Sequence, residues 1–289
     1  MTASVVTGVS TGIGFATALR LAQEGQRVYG SVRSEASGQA LVEAADGLDL
    51  SLVVMDVDDD ASVAAALAGV LGATGGIDVL VNNAGIAVGH AVEDTSIADF
   101  QRTMNTNVWG TLRCIQAVLP TMRERGSGHI LNVTSTAGRV AVAGQCAYTM
   151  SKFAAEALTE SLAAEVAPFG IHVSAVEPGV IMTPIFEKAM TDPEDPTTPY
   201  VGGRRMGEFY MYSLLNDPAT PDLVADVIWE AITADAPKLR YLAGEDAKAL
   251  VAHREGLTDE EWIARQADPD DNAWRTWIKG VTGVDIPTT

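Results

Sequence analysis

The sequence predicts an α/β fold, a doubly wound parallel sheet of about seven strands with helices on both faces. Short β-rich runs alternate with Ala-rich helical stretches, the pattern of a parallel sheet with crossover helices. Several of those runs are continuously apolar, as strands buried on both faces must be. The first run passes into a glycine-rich turn and then a helix. At 289 residues the chain has the length for one large α/β domain or two small ones, and the reading adopted is one domain, 1–289.

In order, the strand candidates are Ser4–Thr7, Arg27–Ser31, Leu50–Met55, Ile77–Val81, His129–Thr134, His172–Val176 and Leu239–Ala243. Helical windows are Phe15–Gln23, Ala61–Leu71, Phe100–Arg123 and Ala147–Val166. Ligands of such sheets sit beyond the carboxyl ends of the strands. Gly8, Val32, Asn83 and Ser135 all follow predicted strands, so they converge on one edge. From Pro178 to Asp217 the chain is rich in breakers, with Pro184, Pro193, Pro196, Pro199, Gly202 and Gly203, which interrupt any long helix. The tail beyond Ala243 carries Trp262, Trp274 and Trp277, and Thr258 with Glu261 forms a capping-box pattern. Three tryptophans are costly to expose, so the tail is expected to be helical and docked, over its own site or a neighbour's.

Lys+Arg 19 against Asp+Glu 38 leaves a net charge of −19, which argues against nucleic-acid and anionic-membrane partners. Cys114 and Cys146 give neither a disulfide framework nor metal spacing, and a reducing cytoplasm is the expected setting. His90, His129, His172 and His253 show no ligand spacing, so no metal is assigned. No signal peptide and no membrane-spanning run is seen.

The chemistry-bearing residues are Ser135, Tyr148 and Lys152. Tyr148 and Lys152 lie four apart on a predicted helix and share a face. A tyrosine works as acid or base near neutrality only if its pKa is pulled down, and a fixed cation does that. At the amino end, Thr7-Gly8-Val9-Ser10-Thr11-Gly12-Ile13-Gly14 joins strand to helix. Its glycines admit close approach of a phosphate, and the helix start favours an anion. Together with Asn82-Asn83-Ala84-Gly85, these motifs resemble the short-chain dehydrogenase/reductase family over roughly residues 4–184. Val-Glu-Pro-Gly at 176–179 and Ser-Val-Arg at 31–33 look most like its retinol- and 17β-hydroxysteroid-dehydrogenase-like branch.

The resemblance implies a Rossmann-type fold and NAD(H) or NADP(H). Residues 1–184 would be the cofactor-binding and catalytic core, 184–217 a helical region covering the substrate, and 244–289 a helical extension. Gly8, Ser10, Thr11, Gly12, Ile13 and Gly14 would hold the phosphates. Asn83, Ala84 and Gly85 would lie near the adenosine ribose. Asp56 would take the adenine amino group beside Val57, although Asp56 also belongs to an acidic helix start with Asp58, Asp59 and Asp60. Pro178, Gly179, Ile181 and Thr183 would pass the nicotinamide, with Thr183 on the carboxamide. Val32 stands where an acid would bind the ribose 2′-OH of NAD, and Arg33 beside it matches a 2′-phosphate. NADP(H) is therefore favoured and NAD(H) stays open, because Thr11 stands where many NADP(H) members carry a basic residue.

By the same resemblance, Tyr148 exchanges the proton, Lys152 lowers its pKa and bonds the nicotinamide ribose, and Ser135 polarises the substrate oxygen. Asn107 is preferred over Asn105 as the asparagine that holds a water in the proton path. Cys146 is a candidate pocket residue whose favoured role is packing. The implied activity is interconversion of a secondary alcohol and ketone, or primary alcohol and aldehyde, by a homo-oligomer. The alternatives are a non-catalytic nucleotide-binding protein, which should have lost part of the Asn107, Ser135, Tyr148, Lys152 set, and sugar-nucleotide epimerase or dehydratase chemistry.

Overall fold

The computed structural model describes residues 1–185, 197–216 and 218–288. Its centre is a seven-stranded parallel sheet in the order β3-β2-β1-β4-β5-β6-β7. The strands are β1 Ala3–Val6, β2 Arg27–Val32, β3 Leu50–Val54, β4 Val79–Asn82, β5 Gly128–Val133, β6 Ile171–Pro178 and β7 Arg240–Ala243. All seven predicted strands are present, with ends shifted by at most two residues. Strand order reverses between β1 and β4, which pair Ser4 with Val79 and Val6 with Val81. That reversal opens a crevice above the carboxyl ends of these two strands.

One face is covered by α1 (Gly12–Gln23) and α8 (Pro221–Thr233), which bury Ala18, Leu21, Val224 and Ile228 against Val6, Val28 and Val176. The other is covered by α3 (Asp60–Thr74), α5 (Thr111–Arg125) and α6 (Cys146–Val166), which bury Leu67, Ile115, Val118 and Leu162 against Val5, Leu80 and Ile130. Each such fully buried aliphatic side chain contributes about 1.5–3 kcal/mol. The short α2 (Gln39–Ala44) caps the β3 edge through Leu41.

The predicted window Phe100–Arg123 is not one α-helix. It comprises α4 (Ile97–Met104), a π-helical segment Asn105–Gly110, and α5. The π segment inserts an extra residue per turn and re-aims the side chains within it.

Beyond residue 185 the described chain resumes at 197. It continues as α7 (Gly202–Leu215), α8, β7, α9 (Glu245–Glu255), α10 (Asp259–Ala267) and α11 (Asp271–Thr282). Pro193 and Pro196 of the expected substrate region lie outside the described residues. The capping box opens α10: Glu261 N donates to Thr258 Oγ1 at 3.2 Å and Thr258 N to Glu261 Oε2 at 2.9 Å. Trp262 and Trp274 are buried and Trp277 half-buried, so the tail docks on its own chain. Among the described residues no helix is long and apolar enough to cross a membrane.

Candidate active site

The β1–α1 turn forms one wall of the crevice. Gly12 adopts φ +62°, and a Cβ there would come within 3.0 Å of the Thr183 methyl. A Cβ at Gly14 would meet Gly8 O at 2.4 Å, so only glycine lets α1 approach the strand this closely. Thr11, the residue before α1, makes no side-chain cap, which leaves the first-turn N–H groups facing the crevice. Asn83 locks the turn to β4: its Nδ2 donates to Thr7 O at 2.9 Å and Gly8 O at 3.2 Å, and its N to Thr7 Oγ1 at 2.9 Å.

The crevice is a cleft of about 910 Å³. It is lined by Gly8, Ser10, Thr11, Gly12, Ile13, Arg33, Asp56, Val57, Asn83, Ala84 and Gly85. Ser135, Tyr148, Lys152, Pro178, Gly179, Ile181 and Thr183 complete it on the other side. Gly14 stands behind this wall, and Asn107 behind the Ile86 turn. Arg33 is exposed at the rim and has no hydrogen bond or ion pair among the described residues, with Ser34 and Ser37 beside it. The Asp56 carboxylate accepts Asp58 N at 3.0 Å, a turn contact that leaves its other oxygen free to accept.

Lys152 is buried and donates from Nζ to Val133 O at 3.0 Å, with Nζ 5.5 Å from the Tyr148 ring centroid. Ser135 and Tyr148 lie side by side on the cleft wall. Burial is the larger influence and pushes the phenol above its ordinary value, while the Ser135 hydrogen bond pulls the other way. Burial also pushes Lys152 down to about 8, so the ammonium itself is weakened, with Glu156 opposing.

The π segment distinguishes the two asparagines. Asn107 is buried, accepts Ile86 N at 2.9 Å, and donates to Ile86 O at 2.9 Å and Ser151 Oγ at 2.8 Å. It braces α6 one residue from Lys152, and both its N–H groups are engaged. Asn105 points elsewhere, to Arg113 at 3.1 Å and Asp58 O at 3.5 Å.

Beyond Ser135 and Tyr148 lies a second cavity of about 700 Å³. Its walls are largely apolar: Val140, Val142, Phe209, Trp262, Trp274 and Ile278 among them. The tail roofs it. Trp262 Nε1 donates to Ala141 O at 2.9 Å, and buried Arg205 donates to Gln266 O at 3.1 Å, Asp268 O at 2.7 Å and Asp271 Oδ1 at 2.8 Å. Asp246 at the start of α9 accepts Val180 N at 2.7 Å and so fixes the turn at Gly179, which lines both cavities. The lining includes Gln145 and Tyr210, joined by a hydrogen bond, but not Cys146. Gln145 and Tyr210 escaped the sequence reading because they meet from positions 65 residues apart.

The profile of the family described as "short chain dehydrogenase" matches residues 2–194. The chain belongs to the short-chain dehydrogenase/reductase family. Like other short-chain dehydrogenases it is a nicotinamide-dependent oxidoreductase. It is 37% identical over 267 residues to human 17-beta-hydroxysteroid dehydrogenase type 1, covering 88% of this chain and 80% of that one. A short-chain dehydrogenase/reductase from Burkholderia phymatum, solved in complex with NAD, superposes with a TM-score of 0.78 at 25% identity, over 93% of this chain and 96% of that one. ElxO, solved with NADP bound, gives a TM-score of 0.71 at 26% identity, over 84% of this chain and 96% of that one. The cleft suits such a dinucleotide: a glycine cradle with uncapped amides at one end, and a hydroxyl–phenol–ammonium cluster at the other.

Proposed function

We propose that the protein is an NADP(H)-dependent oxidoreductase that interconverts a bulky, largely apolar secondary alcohol and its ketone. The observation that carries this reading is that Ser135 and Tyr148 line both cavities, at the seam between the dinucleotide cleft and the apolar chamber. A nicotinamide, when bound, supplies or takes the hydride. In reduction, Ser135 donates a hydrogen bond to the substrate oxygen as charge grows there, and the Tyr148 phenol gives that oxygen its proton. In oxidation the proton returns to Tyr148. Lys152 holds positive charge against the phenol from beneath its ring, which stabilises the phenolate. Asn107 keeps that helix in register, and one remaining Oδ1 lone pair is available to hold a water.

Arg33 supports NADP(H), since an unengaged guanidinium at the end of β2 matches a 2′-phosphate and Val32 supplies no acid for a free hydroxyl. The apolar walls support a large hydrophobic substrate. A reducing cytoplasmic setting and a homo-oligomer, packed through the helices that bear Asn107 and Tyr148, complete the reading. The test is fluorescence titration with NADPH and NADH, then turnover on paired bulky and small ketones and alcohols. Tight NADPH binding with turnover of the bulky set is expected. NADH preference would overturn the Arg33 assignment, and binding of neither would overturn the whole reading.

A further inference from the structure

We propose that Glu156 and Glu177 form a proton-sharing carboxyl pair beneath Lys152, which supports the charge of that lysine and sets the pH range of the reaction. The reaction itself rests on the function proposed above. The pair does not.

Tyr148, Lys152, Glu156 and Glu160 recur every four residues along α6 and therefore share one face. Glu156 is buried, and Glu177, on β6 just before Pro178, is fully enclosed. Arg240 of β7 links the two: its Nε donates to Glu156 Oε2 at 3.0 Å and lies 3.4 Å from Glu177 Oε1. Arg139, in the loop after Ser135, reaches Glu177 Oε1 at 3.3 Å. Both arginines are also engaged at the surface, Arg240 with Glu160 at 2.7 Å and Arg139 with Glu255 of α9 at 2.6 Å. The charged groups around the pair are thus Lys152 and Glu160 on α6, Arg139, Arg240, and Glu255 behind Arg139. Two shared arginines face four carboxyl groups.

Glu156 Oε1 and Glu177 Oε2 are both buried and have no hydrogen-bond partner among the described residues. Two buried like charges with an unsatisfied oxygen each are costly, and one proton held on the pair removes a charge and supplies a donor. Such a pair titrates as a unit. Burial pushes Glu177 up to about 7, the Glu156 charge adding to this while Arg139 and Arg240 oppose it.

As pH rises through that range, the pair gains a negative charge. Glu156 joins the pair to α6 one turn, about 6 Å, from Lys152 and two turns, about 12 Å, from Tyr148. Through Glu156 the pair lies nearer the ammonium than the phenol, so its charge favours the ammonium more than it disfavours the phenolate. Just where Lys152 would begin to lose its proton, the pair reinforces it. Glu156 and Glu177 are positioning residues, since neither lines the cleft.

Two measurements that need no turnover test the pair. In infrared difference spectra taken across neutral pH, the wild-type protein should show a protonated-carboxyl band that disappears as pH rises, and Glu177→Gln should lack it. In NMR titration of isotope-labelled lysine, Glu156→Gln should lower the Lys152 midpoint by about one pH unit. With turnover, Glu156→Gln should move the high-pH limb of kcat down by the same amount, with kcat at its optimum largely kept, and Glu177→Asp should restore the wild-type profile where Glu177→Gln does not. Persistence of the band in folded Glu177→Gln overturns the pair. An unmoved Lys152 midpoint in folded Glu156→Gln overturns its role. A wild-type protein with the band but no turnover would overturn the proposed function and leave the pair standing.

Discussion

The dinucleotide cleft and the apolar chamber meet at Ser135 and Tyr148 but are built in opposite ways. The cleft is made largely of backbone: glycines, strand ends and helix-start amides that follow one another along the chain. The chamber is made of side chains brought from α7, α10, α11 and the 139–145 loop, held by long-range bonds such as Trp262 to Ala141 and Arg205 to Asp268. The contrast teaches that cofactor binding here is a property of local chain geometry, whereas substrate choice is a property of tertiary packing. Substitutions should therefore separate the two cleanly.

The largest effect is expected at the seam. Tyr148→Phe should lower turnover by about 10³-fold or more with NADPH affinity near wild type. Stopped-flow turnover with fluorescence binding checks this, and a simultaneous loss of binding would break the separation. Next, Arg33→Ala should weaken NADPH about tenfold or more and leave NADH within about twofold, because one charged hydrogen-bonding site to the 2′-phosphate is removed. Equal losses in titration of both cofactors would count against that clamp. Trp277→Ala should reduce kcat/KM for a bulky apolar ketone about tenfold and spare a small one, since it opens only the chamber. Loss on both substrates would mean that the roof also supports the cleft.

The smallest effect should touch neither cavity. The His129 and His172 rings lie 4.9 Å apart, tilted at 58°, near the amino ends of β5 and β6. Burial, helped by His172, pushes His129 down to about 4. Its folded-state pKa lies below the unfolded value, so the unfolded chain binds the proton first and stability falls as pH drops from about 6.5 toward 4. With a discount for partial exposure this is about 1 kcal/mol at pH 5. Urea denaturation should show it, and His129→Asn should flatten it without altering activity at neutral pH.

The same contrast explains how far the sequence could be read. All seven strands, the glycine turn, the capping box and the residues lining the cleft lie in contiguous stretches whose local chemistry declares them. Asn107 was separable from Asn105 only by motif, because the π segment that aims it leaves no compositional trace. Gln145 with Tyr210, and Glu177 with Arg240, were not legible, since each contact is created by folding. The burial that raises the Tyr148 phenol is not legible either, for the same reason. Sequence shows that a lysine is near, but not how deeply folding buries the phenol.

The π segment at Asn105–Gly110 carries a consequence for how such a chain can change through descent. Its geometry depends on the number of residues between α4 and α5 rather than on any one side chain. Removing a single residue there would let an ordinary helix run through, rotating Asn107 away from Ile86 and Ser151 by about 100°. Point substitutions along the exposed side of this segment are therefore tolerable, whereas insertions and deletions are not. Length, not spelling, is the inherited constraint at this position.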